Sequence, residues 1–96
     1  MQVAMVEFAV GPDRVDACVE ALKGITGTLV AAQPQFHGAT VHVEKATGTV
    51  INYMLWDTHE DFINFPDSNA EKIGEALGEF GPNGRMIDIV AEIAPL

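Results

Sequence analysis

Between Gln2 and Val10 apolar residues crowd both faces of an extended chain, Val3 and Met5 against Ala4, Val6 and Phe8, and this predicts a first strand. Gly11-Pro12-Asp13 predicts a turn into a helix, with Asp13 favourably placed at the positive end of its dipole. From there Val15, Cys18, Leu22, Ile25 and Leu29 step by three and four residues, the stripe of an amphipathic helix. Gly24 and Gly27 each weaken that helix by about 1 kcal/mol relative to alanine, and Pro34 ends it. Phe36–Glu44 alternates as a second strand, Val41 and Val43 opposite Thr40, His42 and Glu44. Lys45–Gly48 predicts a hairpin loop into a third strand from Val50, which carries Val50, Asn52, Met54 and Trp56 on one face and Ile51, Tyr53, Leu55 and Asp57 on the other.

A short helix follows from Thr58, with Asp61 three residues on in a capping-box arrangement, and it stops before Pro66. A second capping box, Ser68-x-x-Glu71, opens another helix with Ala70, Ile73, Leu77 and Phe80 as its apolar positions. Gly81-Pro82-Asn83-Gly84 reads as a break, and Met86–Ile93 alternates as a last strand. Strand, helix, strand, strand, helices, strand is the order of the ferredoxin-like split βαβ fold, an α+β class built on a four-stranded antiparallel sheet with helices on one face. Strands apolar on both faces then leave one sheet face uncovered. Packing a second copy against it, sheet to sheet, predicts a homodimer.

The 96 residues make one domain. A net charge of −9 disfavours phosphate backbones and anionic lipid, so neither nucleic acid nor a membrane surface is expected as a partner. A single cysteine, Cys18, excludes an internal disulfide and suits a reducing compartment; it falls on the helix stripe and reads as an inert core thiol. With no leader-like start and no apolar run of membrane-spanning length, a cytoplasmic location is expected. No glycine-rich phosphate loop follows a strand into a helix, and no serine–histidine–acid pattern stands out.

Asn52 is the residue that asks for an explanation. An amide in the middle of an apolar strand needs partners, because burying it unpaired costs roughly 1–3 kcal/mol. The plain reading is an amide bridging backbone groups; the functional one is a ligand contact. Trp56 lies two pleats along the same face, with an N–H and a broad aromatic wall. Phe36, Met54 and Phe62 are candidate lining residues, of the core or of a pocket. His37, His42 and His59 have the ordinary titration range of a general base, and His42, on the strand beside Asn52, is the first candidate; the alternative is a partly exposed strand histidine. The three are spread over separate elements, without metal-ligand spacing, and no metal is expected.

The order and spacing of several short motifs resemble the antibiotic biosynthesis monooxygenase domain family. They are Gln33-Pro34-Gln35-Phe36, Gly38-Ala39-x-Val41-His42, Val50-x-Asn52-Tyr53-x-x-Trp56 and Gly81–Arg85. The resemblance spans essentially the whole chain and implies a dimeric α+β barrel with a pocket between sheet and helices in each subunit. It further implies oxygenation of an electron-rich aromatic such as an anthrone or quinol, with molecular oxygen as co-substrate and neither metal nor flavin. Asn52 and Trp56 match substrate-contacting positions of the family's polyketide oxygenases, while His59 and the lining residues are carried as substrate-side candidates. Where some of those enzymes place a tyrosine six residues after the tryptophan, this chain has Phe62, which donates no hydrogen bond. The haem-degrading branch needs a later axial histidine and a first-strand asparagine; this chain has neither, and haem is disfavoured. A non-catalytic small-molecule-binding or regulatory dimer, and an isomerase or cyclase, are the alternatives on the same fold.

Overall fold

A computed structural model describes residues 1–64 and 67–96. Four strands, β1 (Gln2–Ala9), β2 (Phe36–Glu44), β3 (Thr49–Trp56) and β4 (Pro82–Ile87), form one sheet in the order β2-β3-β1-β4. Every neighbouring pair is antiparallel. The helices are α1 (Val15–Ile25), which runs on into a π-helical segment Thr26–Val30, then α2 (His59–Ile63) and α3 (Asp67–Leu77). This is the predicted ferredoxin-like α+β arrangement. No helix among the described residues is long and apolar enough to cross a membrane.

Register decides which side chains meet. Asn52 pairs with Val6 on one side and Val41 on the other, and Met54 with Ala4 and Ala39. These residues share the sheet face that the helices cover. Along β3 the alternation is strict: Val50, Asn52, Met54 and Trp56 are buried while Ile51, Tyr53 and Leu55 are only half-covered. Beneath the helices the core divides into two apolar groups. Phe8, Cys18, Leu22, Val50, Leu77 and Phe80 form the first; Ala4, Val30, Met54 and Trp56 form the second.

Three local expectations change. The last strand was expected over Met86–Ile93, but β4 occupies Pro82–Ile87, inside what reads as a break. Gly81, at φ 65°, closes the preceding turn, and Pro82 is tolerated because β4 is the sheet edge and Pro82 its first residue. The strand stops at Ile87 because its partner β1 begins at Gln2 and the last pair is Val3 with Ile87. Beyond it Val90, Ile93 and Leu96 are exposed. The helix stripe also shifts: Thr26 and Val30 are buried, where the three-and-four spacing had pointed to Leu29. Finally, the turn at Gly11-Pro12-Asp13 is a short 3-10 helix, Pro12–Arg14.

The Thr58 capping box forms as expected. Asp61 N–H donates to Thr58 Oγ1 at 3.3 Å, and Thr58 N–H to Asp61 Oδ2 at 3.1 Å. The stop at Pro66 falls outside the described residues, as does the Ser68 side chain of the second box; α3 itself starts at Asp67.

Candidate functional site

The two halves of the core share no fully buried residue and are bridged by the partly buried Val6 and Ile73. Along β3 the sequence of buried side chains is Val50, Asn52, Met54, and along the first helix it is Leu22, Thr26, Val30. In each line the first residue belongs to one apolar group, the last to the other, and the middle one is polar. A cavity of about 270 Å³ lies at this gap, walled by Val6 from the sheet, Ile73 and Leu77 from α3, and Phe62 from α2. Gly74 of α3, Gly78 just after it and Gly84 of β4 border it, and a Cβ at any of them would meet nothing within 4 Å. Among the described lining residues Thr26 and Asn52 carry the only polar side chains, and none is titratable.

Asn52 is 3% exposed and Thr26 8%. Asn52 Nδ2 donates to Thr26 Oγ1 at 3.4 Å, a long contact, and Asn52 Oδ1 has no hydrogen-bond partner among the described residues. Folding alone gives no reason to keep such a pair, since an unmet buried acceptor costs roughly 1–3 kcal/mol. A ligand hydroxyl in the cavity would meet that acceptor. Turning the amide over would instead let Thr26 donate to Oδ1 and present N–H groups to an oxyanion.

The structure sorts the remaining candidates. Met54 and Phe62 line the cavity. Trp56, 1% exposed, does not; it packs with Met54, Val30 and Phe62, its ring 5.8 Å from that of Phe62 and 5.4 Å from that of Phe36. Phe36 is therefore a second-layer neighbour through Trp56, and the indole stiffens the wall behind the lining. His42 is on the other side of the sheet. It pairs with Ile51, its ring stands edge-on to Tyr53, and its Nε2 is 2.7 Å from Thr40 Oγ1, so within one chain it cannot act as a base in this cavity. His59 is the first residue of α2, where its Nε2 donates to the Ile87 carbonyl at 3.0 Å, tying α2 to the end of β4 outside the cavity lining. His37 pairs with Asp57 in an exposed position. No group of three or more histidine, cysteine or acidic residues among the described residues could hold a metal ion.

Thr26 is the site residue that apolar periodicity missed. Threonine does not count towards a hydrophobic stripe, although its position, four residues after Leu22, was a usable signal.

A mostly apolar cavity between sheet and helices, with one buried polar pair among its described lining, has the make-up common to small-molecule pockets. The family model for antibiotic biosynthesis monooxygenases matches residues 1–72, and the chain belongs to that family. Curated protein sequences give no match. Among solved structures, the monooxygenase from the gene ActVA-Orf6 of Streptomyces coelicolor, in complex with the ligand nanaomycin D, superposes with a TM-score of 0.85 at 25% identity, covering 99% of this chain and 92% of its own. Rv0793 from Mycobacterium tuberculosis gives 0.73 at 14% identity, covering 98% and 100%. A protein from Bordetella bronchiseptica gives 0.77 at 15%, covering 94% and 98%. The last two show the fold alone. Family and first neighbour together support a monooxygenase-type function.

Proposed function

We propose that this chain is a cofactor-independent monooxygenase acting on a polycyclic phenol, quinol or anthrone, in secondary metabolism or quinone detoxification. The observation that carries the reading is the Thr26–Asn52 pair, a single polar feature in an apolar cavity. Apolar walls suit fused aromatic rings, and the pair fixes one oxygen of the ring system. For an anthrone the balance is simple: a ring CH2 and O2 become a ring carbonyl and water. The substrate supplies all four electrons, one oxygen atom enters the product, and both hydrogens leave in the water. The protein's task is then to desolvate the substrate anion and to hold its oxygen, with Asn52 Nδ2 as donor. A lining whose described residues carry no titratable side chain suits a reaction whose acid–base demands fall on the substrate.

The test is oxygen uptake by metal-free protein with a panel of naphthols, quinols and anthrones. Uptake above the uncatalysed rate is expected, with Asn52→Ala lowering kcat roughly a hundredfold, the effect of losing an oxyanion donor. Trp56→Phe is expected to act more weakly, since the indole stands behind the lining. No uptake with any compound, together with tight binding of one of them, would instead favour a non-catalytic binding protein. Phe62, in the place of a family tyrosine, is the observation behind that second reading. The proposal includes a homodimer formed through the sheet face opposite the helices.

A further inference from the structure

The buried line Cys18, Leu22, Thr26, Val30 is spaced by four residues throughout. A regular α-helix drifts by about 40° at each such step, because four residues overshoot a turn of 3.6. Here the helix widens at Thr26. The Ala31 N–H donates five residues back to the Thr26 carbonyl at 2.9 Å, and the π-helical segment Thr26–Val30 absorbs part of the drift. Val30 thereby stays turned toward the sheet in line with Thr26, whose own N–H still donates to the Leu22 carbonyl as in a regular helix. π segments within helices are rare and gather at functional sites. The residue at which this one begins carries a hydroxyl at the cavity, where a valine of nearly the same shape would fill the space without leaving a polar group to satisfy.

We propose that Thr26, where the π turn begins, is a positioning residue that orients the Asn52 amide to select substrates bearing a phenolic oxygen. A threonine hydroxyl both donates and accepts. Accepting from Nδ2, as here, it leaves Asn52 Oδ1 to receive the O–H of a neutral phenol. Donating to Oδ1, it turns the N–H groups toward a phenolate oxygen. One pair therefore holds the substrate in both protonation states at one place. Valine at this position would leave the amide without its anchor.

The inference rests on the cavity being the substrate site, so it is tested by binding and not by turnover. Equilibrium dialysis with α-naphthol and with α-methylnaphthalene, equal in shape but without the hydroxyl, separates the polar contribution from the apolar one. Thr26→Val is expected to weaken α-naphthol about five- to tenfold, the worth of one neutral hydrogen bond, and to leave α-methylnaphthalene unchanged. Thr26→Ser is expected to restore α-naphthol binding, and Thr26→Ala, smaller but equally without a hydroxyl, to show the same selective loss if the valine variant does not fold. Equal loss of both ligands, no loss of either, or a serine variant no better than valine would overturn the role of Thr26 alone. Wild-type protein that binds neither ligand would overturn the reading of the cavity and this inference with it.

Discussion

At the scale of single residues, Cys18 and Asn52 show how one buried position is explained by packing and another is not. Cys18 is fully buried beside Phe8, Leu22 and Val50, and burial pushes its thiol above the ordinary range, with the nearby Arg14 charge pulling weakly the other way. A thiol whose pKa is higher folded than unfolded favours the fold fully at pH values below the unfolded pKa. That contribution is lost as pH rises through the thiol range, because only the unfolded chain ionises freely. Stability measured by urea unfolding is therefore expected to fall with alkaline pH, and Cys18→Ala to remove this part of the slope while costing about 1 kcal/mol in lost packing. A slope unchanged in the variant would count against the account. Asn52 was legible as a candidate because an amide amid apolar alternation has no packing purpose, and it lines the cavity. Its partner Thr26 was not, since threonine is compatible with core and surface alike. His42 misled for a related reason: alternation within β2 is visible in the sequence, but which face it shares with Asn52 depends on the hairpin register, Val41 opposite Asn52 and His42 opposite Ile51.

Among the elements, the β2–β3 hairpin controls that register, and Gly48 is where it can be broken. Gly48 has φ 70°, and its carbonyl accepts the N–H groups of Val10 and Gly11 at 3.2 and 3.0 Å. A Cβ built on it would fall 2.1 Å from the Gly11 carbonyl carbon, a backbone atom that has nowhere to move. Gly48→Ala is expected to destabilise the protein by about 3 kcal/mol or more, combining left-handed strain with the displaced contact. Gly24→Ala, at a helical position with nothing within 4 Å of the new Cβ, is expected to be neutral or stabilising by up to about 1 kcal/mol. Thermal melts of the pair separate the two kinds of glycine. The strands and helices were legible because their periods are clean. β4 was misplaced because an edge strand accepts the proline and glycines that rule out a central one, and edge position is a property of the assembled sheet.

For the whole molecule, the open question is what covers the second sheet face. That face presents Met5 from β1, Ile51, Tyr53 and Leu55 from β3, and Ile87 from β4. Its margin is polar, with Thr40 and His42 on β2 and the Glu7–Arg85 pair at 3.1 Å near the other edge. An apolar centre inside a polar rim is the anatomy of an interface, and a flat sheet meeting its own copy about a two-fold axis is self-complementary. The charge of −9 keeps a chain with such a face in solution without obliging it to stay single. Light scattering at micromolar concentration is expected to give twice the mass of one chain. Leu55→Arg, which sets two like charges into the proposed interface, is expected to give one chain's mass with the helical signal retained. Glu75→Arg, on the exposed side of α3, changes the net charge by twice as much and is expected to leave the mass doubled. A wild-type monomer, or a Leu55→Arg protein still of doubled mass, would mean that the sheet face is covered in some other way. The cavity, lying on the opposite face, would then be formed and, under the proposed function, used within a single chain.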